Sequence, residues 1–212
     1  FGPDKTWNYE LGTKTSFADG KVSVNATYFH VKWDDMQTSR SFECGFGFRE
    51  NIGKATSKGL EFELNARVTD NLSINLGATH IDSQLDEDVP NLNAEKGDNA
   101  PYVPKFTMNG SVDYQRPLTD TMDGFIWANV QHTGERHTEF DLLAANHRRM
   151  AAYTLANLRV GVKWDNYEIS VFANNLFDSA GIIRSLRRPP FDPDAKIRVT
   201  PRTIGLSMRV DF

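Results

Sequence analysis

The stretch PRTIGLSMRVDF, residues 201–212, decides the fold because its apolar side chains fall on every second position. In an extended strand, alternate residues point to opposite faces. The residues that share the apolar face are Ile204, Leu206, Met208, Val210 and Phe212. Such a strand suits a wall with hydrocarbon on one side and water on the other. A soluble β-sandwich uses the same alternation, so the length and recurrence of the pattern must decide between the two.

The alternation recurs along the whole chain. Runs of period two, bounded by turn residues, predict nine strands at residues 7–17, 21–36, 52–68, 72–84, 103–115, 124–135, 152–164, 167–176 and 201–212. Most of these exceed the ~5–6 residues of an ordinary soluble strand and reach the ~9–11 residues that cross a bilayer at a tilt. Strand length therefore favours an all-β fold, an antiparallel transmembrane β-barrel.

The connections between the predicted strands alternate between short and long. The short links are residues 18–20, 69–71, 117–123 and 165–166, and the long ones are residues 37–51, 85–102, 136–151 and 177–200. Outer-membrane barrels have short turns at one end and long loops at the other. Four structureless loops of this length would argue against a compact soluble domain.

Two short turns predict the register of their hairpins. Residues 165–166 form a two-residue turn, and residues 69–71 form a slightly longer one. The pairs expected beside these turns are Trp164 with Tyr167, Lys163 with Glu168, and Val68 with Leu72. Both hairpins then present apolar pairs on one face and polar or charged pairs on the other.

Aromatic side chains cluster toward both ends of the predicted strands. Those beside the short turns are Phe17, Tyr114, Phe125, Trp164, Tyr167 and Phe212, and those toward the long loops are Tyr9, Trp33, Tyr102 and Tyr153. We interpret these two groups as the aromatic belts that mark the two bilayer interfaces.

Composition narrows the function classes. The chain is 39% hydrophobic and 25% charged with a net charge of −4, which gives no support to a nucleic-acid surface. It contains no run of ~20 apolar residues for a helical span. It also lacks the common hydrolase, metalloprotease and phosphate-loop motifs, so we expect neither an enzyme nor a cofactor site. The single cysteine, Cys44, lies in a long loop, and we expect it to be free.

Several motifs, in order, resemble those of TonB-dependent outer-membrane receptors. The chain reads NIGKA followed by SKGLEFE within residues 51–63, APYVP at residues 100–104 and NNLFD at residues 174–178. The final strand, which begins with PRTIGL and ends in an aromatic residue, completes the set. Each motif alone is weak, whereas their order and spacing are fairly specific.

The resemblance implies the architecture of the parent protein. Such receptors are 22-stranded barrels with a plug in the lumen. We therefore expect residues 1–212 to be a nine-strand C-terminal portion, with the plug, the TonB-contacting segment and about thirteen strands outside it. It also implies a bacterial outer-membrane location, contact with outer-membrane lipid, and TonB-dependent uptake of a scarce nutrient, commonly a ferric siderophore. The alternatives are a passive porin and a soluble β-sandwich that binds carbohydrate.

One long loop carries the candidate ligand-binding residues. These are Arg184, Arg187, Arg188, Phe191 and Arg198. Guanidinium groups with an aromatic ring suit the carboxylates or catecholates of an anionic iron chelate. A solvated loop, or a loop that contacts lipopolysaccharide phosphates, is the alternative. The loop histidines His132, His137 and His147 follow no short metal-binding spacing, so we expect ordinary polar residues there.

The C-terminal residues carry a second predicted role. By resemblance, Leu206, Met208, Val210 and Phe212 form the signal that outer-membrane proteins present to the barrel-assembly machinery. An amphipathic edge strand of this kind is recognised by strand addition.

Overall fold

Nine long strands form one continuous antiparallel sheet. The computed structural model describes residues 1–41, 46–144, 147–188 and 192–212. Its strands are β1 (Lys5–Phe17), β2 (Val22–Asp34), β3 (Gln37–Ser41), β4 (Gly47–Asn51), β5 (Ala55–Thr69), β6 (Leu72–Leu85), β7 (Phe106–Thr119), β8 (Met122–Thr133), β9 (Arg136–His137), β10 (Arg149–Met150), β11 (Tyr153–Trp164), β12 (Tyr167–Asn174), β13 (Ile182–Arg188), β14 (Asp192–Arg198) and β15 (Thr203–Val210). The sheet order is β1-β2-β5-β6-β7-β8-β11-β12-β15. The sheet is open in this chain, with β1 and β15 at its edges. Within the described ranges no helix is long and apolar enough to cross a membrane.

The nine predicted strands are confirmed as the nine strands of this sheet. Around the turn at residues 165–166, Trp164 pairs with Tyr167 and Lys163 pairs with Glu168, as expected. The Lys163 Nζ lies 3.5 Å from the Glu168 carboxylate. A period of two transmits the register of a turn along both strands, because a slip of one residue would move every side chain to the wrong face.

The predicted pair of Val68 with Leu72 is wrong. Thr69 pairs with Leu72 instead, and the register shifts between Arg67 and Thr69, so Val68 is the extra residue of a β-bulge. The hairpin of β7 and β8 has the same feature, with a shift between Pro117 and Thr119. β7 continues through Pro117 and ends four residues later than the predicted boundary at residue 115.

The two faces of the sheet differ in polarity. One face, here the apolar face, exposes large hydrophobic side chains such as Leu11 (78%), Leu60 (59%) and Leu206 (71%). The opposite, polar face carries charged residues such as Glu63 and Arg159. The sandwich alternative required the apolar faces of all nine strands to meet, and the single sheet with its exposed apolar face contradicts it.

The interpretation of the aromatic belts is partly wrong. Trp164 and Tyr167 stack on the apolar face with ring centroids 5.6 Å apart. Phe125, however, lies on the polar face, where the Lys163 Nζ is 5.0 Å from its ring centroid. Trp33 packs against the buried cluster at the other end of the sheet. Phe125 and Trp33 do not face lipid because of their positions in the alternation along the strand. The distance of a residue from the strand end, on which the belt prediction was based, does not reveal that position.

The sequence suggested that the long loops are structureless, but each of them contains a short element of secondary structure. Three of them contain short hairpins, which are β3 with β4, β9 with β10, and β13 with β14. The fourth, between β6 and β7, contains a 3-10 turn, Pro90–Leu92, that we call η1. The main buried cluster lies where this loop meets the β3–β4 hairpin and the ends of β5 and β6. It consists of Met36, Ile52, Ala55, Leu85, Val89 and Ala94. Because Ala55 and Leu85 belong to the polar face, the loops fold over the polar side of the sheet.

Candidate functional site

Three loops join into one unit at the end of the sheet away from the short turns. We call residues 86–105, 134–152 and 175–202 the loop cap. Tyr102 connects all three, because it lies in the first loop, its backbone N–H donates to the His137 carbonyl at 2.8 Å and its hydroxyl donates to the Ser185 carbonyl at 2.8 Å. The loops therefore hold one another in place.

Arg136 makes a second connection between two of these loops. Its side chain is buried, with 9% exposure. Its guanidinium donates to the Ile182 carbonyl at 2.7 Å and to the Ile183 carbonyl at 3.4 Å, and it lies over the Tyr153 ring at 5.8 Å. A buried guanidinium that satisfies two main-chain carbonyls fixes the start of β13 against β9.

Asn175 anchors the base of the third loop. It follows β12 with a positive φ of 50°, which asparagine tolerates better than most residues. Its side-chain amide donates to the Ser179 carbonyl at 2.9 Å and to the Thr200 carbonyl at 3.0 Å, and its Oδ1 accepts from the Ser179 N–H at 2.9 Å. The asparagine thus brings the two ends of the loop together below the β13–β14 hairpin.

The predicted ligand-binding residues lie on this β13–β14 hairpin. Arg184 is on β13 and Arg198 ends β14, and both side chains are exposed. The Arg198 guanidinium also donates to the Ala180 carbonyl at 3.0 Å. Arg187 and Arg188 belong to β13, although their side chains lie outside the described part of the structure. Phe191 lies outside the described residues altogether, as does Cys44.

Two of the three loop histidines meet in the cap. The His137 Nδ1 is 2.8 Å from the His147 Nε2, and the two rings stack with centroids 5.1 Å apart. The His137 Nε2 also lies 3.3 Å from the Glu135 carboxylate. His132 lies elsewhere, on the apolar face, where its Nδ1 is 2.9 Å from the Thr154 hydroxyl.

The environment of the histidine pair shifts two pKa values. The hydrogen bond from Arg149 is the main reason that the pKa of Glu135 is below its usual range. Burial lowers the pKa of His147, and the nearby His137 and Arg148 lower it further, while Asp141 opposes them. A neutral His147 accepts or donates one hydrogen bond to His137, whereas a doubly protonated pair has no acceptor nitrogen. Across the described ranges, no three His, Cys, Asp or Glu side chains are placed to hold a metal ion.

The polar face carries a second cluster, nearer the short turns. The Arg159 guanidinium is 2.7 Å from the Glu168 carboxylate and donates to the Ser170 hydroxyl at 2.8 Å. Lys163 approaches the same carboxylate from the other side. Arg159, Lys163 and Glu168 border an open cavity of about 560 Å³ together with Phe125 and Trp127. Charged groups that pair with one another form a hydrated wall suited to a polar occupant of the lumen.

Comparison with known proteins identifies the wall. A family profile described as "TonB dependent receptor-like, beta-barrel" matches residues 1–176, which is most of the chain. The chain belongs to the TonB-dependent receptor β-barrel family. Proteins of this family are outer-membrane β-barrels of Gram-negative bacteria, so the apolar face of this TonB-dependent receptor wall faces lipid and its polar face lines the lumen.

Curated relatives are receptors rather than enzymes. The pesticin receptor of Yersinia enterocolitica is 30% identical over 220 residues, which cover 100% of this chain and 30% of that protein. The metal-pseudopaline receptor CntO of Pseudomonas aeruginosa is 24% identical and is matched over 100% of this chain and 28% of its own length. The TonB-dependent receptor wall described here therefore spans about a third of the length of these relatives.

Solved structures of the family have the same fold. The ferric yersiniabactin uptake receptor FyuA from Yersinia pestis superposes with a TM-score of 0.81 at 25% identity, over 99% of this chain and 30% of that one. The ferric-catecholate import receptor Fiu from E. coli K12, in its closed form, gives a TM-score of 0.76 at 20% identity, over 100% of this chain and 28% of that one. The prediction of a TonB-dependent receptor barrel is confirmed.

Sequence reasoning missed the residues that assemble the loop cap. Tyr102 was interpreted as a belt residue, and Arg136 received no role. Asn175 lies in the NNLFD motif, which carried the family resemblance but no stated function. The signal that was available is this motif together with a conformationally permissive asparagine at a strand end. Nothing local marks Arg136, because its partners lie 46 and 47 residues away.

Proposed function

We propose that residues 1–212 form the C-terminal wall of a TonB-dependent outer-membrane receptor that takes up a ferric siderophore. The observation that carries the proposal is the family match over residues 1–176. Relatives named for ferric yersiniabactin and metal-pseudopaline support a chelated metal as cargo. The plug, the segment that contacts TonB and the remaining strands then belong to parts of the parent protein beyond this nine-strand portion.

The β13–β14 hairpin is the proposed ligand contact within this chain. Arg184 and Arg198 are exposed there, Arg187 and Arg188 also belong to β13, and Phe191 falls between the two strands in the sequence. Guanidinium groups bind carboxylate and catecholate oxygens through paired hydrogen bonds. Support from Arg136 and Tyr102 at the base of the hairpin lowers the entropy that a ligand must remove on binding.

The last strand is the proposed assembly signal. Leu206 and Met208 are exposed on the apolar face at 71% and 62%, and Phe212 is fully exposed beyond the end of β15. Until the parent barrel closes, a last strand such as β15 is an edge of the growing sheet, and its main-chain groups can be paired by strand addition to the barrel-assembly machinery.

Uptake of ⁵⁵Fe-labelled chelates by the full-length protein tests the proposal. The host would lack its own siderophore receptors, and the probes would be ferric phenolate, catecholate and hydroxamate complexes. We expect accumulation of at least one complex that stops when TonB is deleted or a protonophore is added. Accumulation that persists without TonB and with the protonophore would instead indicate a passive porin.

A paired variant tests the hairpin in the same cells. Arg184→Gln with Arg198→Gln should weaken binding of the transported complex by about 100-fold or more, because each of the two lost charged hydrogen bonds costs roughly 1.5–3 kcal/mol. Arg116→Gln removes an exposed cation near the short turns and serves as the matched control. Equal binding by the hairpin variant and the control would reject the hairpin as the contact while leaving uptake itself untouched.

A further inference from the structure

A row of uncharged polar side chains crosses the lumen face of the sheet. The residues that the register places side by side, one each on β6, β7, β8 and β11, are Asn75, Ser111, Asn129 and Asn157. Asn157 has the strand parity of Arg159, so the side chains of this row point toward the lumen. On β11 the row lies between Arg159, on the side of the short turns, and the loop cap.

Two residues of the row belong to a chain of side-chain amides. The Asn175 N–H donates to the Asn157 Oδ1 at 2.9 Å, and the Asn157 Nδ2 donates to the Asn129 Oδ1 at 3.0 Å. The Asn129 Nδ2 then donates to the Gly110 carbonyl at 3.2 Å. We call these three hydrogen bonds the amide chain. It connects β7, β8 and β11 with the residue that anchors the third loop of the cap.

The two ends of the amide chain fix its direction. A main-chain N–H only donates, and a main-chain carbonyl only accepts. Asn175 therefore requires an oxygen from Asn157, and Gly110 requires an NH₂ group from Asn129. If the amide of Asn157 turned over, its NH₂ group would face the Asn175 N–H and its oxygen would face the Asn129 oxygen. That orientation loses two hydrogen bonds, so Asn129 determines which end of the Asn157 amide faces Asn175.

The amide chain meets the main chain where the pairing of β11 with β12 becomes irregular. The ladder that runs up from the turn at residues 165–166 ends one residue before Asn157. Main-chain bonding resumes where the Leu176 N–H donates to the Ala156 carbonyl at 2.7 Å. Residues 174–175 thus lie opposite Asn157 alone, as in a β-bulge. The side chain of Asn157 supplies an acceptor for the N–H of the extra residue.

We propose that Asn129 and Asn157 are positioning residues for the β13–β14 hairpin. Asn157 holds the main chain of Asn175, and Asn129 holds Asn157 in the orientation that this bond requires. The side chain of Asn175 in turn bonds to both ends of the loop, at Ser179 and Thr200. The lumen wall thereby keeps the loop closed below the hairpin. The consequence for ligand binding rests on the proposed function of this hairpin.

Hydrogen exchange of the full-length protein in detergent tests the amide chain without a ligand. The reporter is the amide of Val199, which donates to the Gly181 carbonyl at 3.0 Å. Asn157→Ala leaves the Asn175 N–H buried without its acceptor, so Val199 should exchange about tenfold faster, which corresponds to ~1.4 kcal/mol. Asn129→Ala should raise this exchange about threefold, although its own bonds are to β7 and β11.

Asn157→Asp is the conservative variant, because either oxygen of a carboxylate accepts from the Asn175 N–H. It should restore slow exchange at Val199. In its background Asn129→Ala should have no further effect, since a carboxylate needs no partner to present an oxygen. A loss of packing at Asn129 would instead raise exchange equally in both backgrounds, and that result would overturn the proposal.

Asn75→Ala is the matched control, because this amide lies in the same row but donates to the Ser111 hydroxyl at 3.2 Å. Heat-modifiable migration on gels verifies that each variant is folded. The proposal is overturned if Asn157→Ala leaves the exchange of Val199 unchanged, if Asn75→Ala raises it as much, or if Asn157→Asp does not restore it.

Binding of the ⁵⁵Fe-labelled phenolate, catecholate and hydroxamate complexes distinguishes this proposal from the proposed function. Asn157→Ala should weaken binding of the transported complex, and Asn157→Asp should restore it. If the exchange of Val199 responds as expected while binding is unchanged, the amide chain is supported and the hairpin is rejected as the ligand contact.

Discussion

Replacement of Asn175 isolates the contribution of one side chain to the loop cap. Asn175→Gly removes the side-chain hydrogen bonds to Ser179 and Thr200 but accepts the φ of 50° without strain. Asn175→Ala removes the same hydrogen bonds and adds a Cβ in the left-handed region. Comparison of the two variants therefore separates hydrogen bonding from backbone conformation.

The expected change in the free energy of loop opening follows from the burial and hydrogen bonds of Asn175. Asn175 is 5% exposed. The backbone groups of Ser179 and Thr200 that lose their hydrogen-bond partner therefore cannot bond to water unless the loop opens. Three lost hydrogen bonds at about 1 kcal/mol each weaken the closed loop by roughly 3 kcal/mol in the glycine variant. The left-handed conformation adds ~1 kcal/mol for alanine. Since ~1.4 kcal/mol is a tenfold change, local opening should increase roughly 100-fold for glycine and several-fold further for alanine.

Hydrogen exchange of the full-length protein in detergent measures this opening. The reporters are the amide of Val199, which donates to the Gly181 carbonyl at 3.0 Å, and the amide of Leu176, which donates to the Ala156 carbonyl at 2.7 Å. Asn91→Ala, an exposed asparagine in η1, is the control. Exchange at both reporters that rises less than threefold in Asn175→Gly would refute the argument, as would a glycine variant that opens more than the alanine variant.

Three further predictions concern other parts of the chain. Leu64→Lys places a cation on the lipid face and should destabilise the refolded barrel in vesicles by about 2–4 kcal/mol in urea unfolding, whereas Asn65→Lys on the lumen face should cost far less; equal costs would reject the assignment of the faces. Because the pKa of His147 is lowered in the folded loop, folding favours its neutral form, so the stability of the loop should fall as the pH drops below about 6.5 and level off below the folded pKa. The protection factor of the Thr138 amide, which corrects for the slower intrinsic exchange at lower pH, should fall between pH 7.5 and pH 5 and lose this dependence in His147→Gln; an unchanged dependence would remove His147 as the cause. Deletion of Phe212 from the full-length protein should lower its level in outer-membrane fractions, and unchanged levels would contradict the assembly signal.

The wall of the barrel could be predicted from the sequence because its information is local. Strand parity needs only neighbouring residues, and a two-residue turn such as residues 165–166 sets the register for everything that follows it. The error at Val68 arises because a bulge inserts a residue without breaking the alternation on either side.

The loop cap could not be predicted in the same way because its information is not local. Arg136 bonds to carbonyls in a loop that begins after three intervening strands, and Tyr102 bonds to Ser185 across 83 residues. Loops of this length have no periodicity from which such contacts are deduced. The predicted ligand-binding set was chosen by chemical type alone, and its role stays a prediction.

The hydrogen bonds by which Tyr102 and Arg136 join the three loops end on main-chain oxygen atoms. Tyr102 donates to the carbonyls of His137 and Ser185, and Arg136 donates to those of Ile182 and Ile183. Every amino acid supplies such a carbonyl, so the identity of the side chains at the receiving positions is free to vary while the loops keep their places. Under the proposed uptake function, residues across the outer surface can therefore be substituted one at a time while the arrangement of the loops is kept.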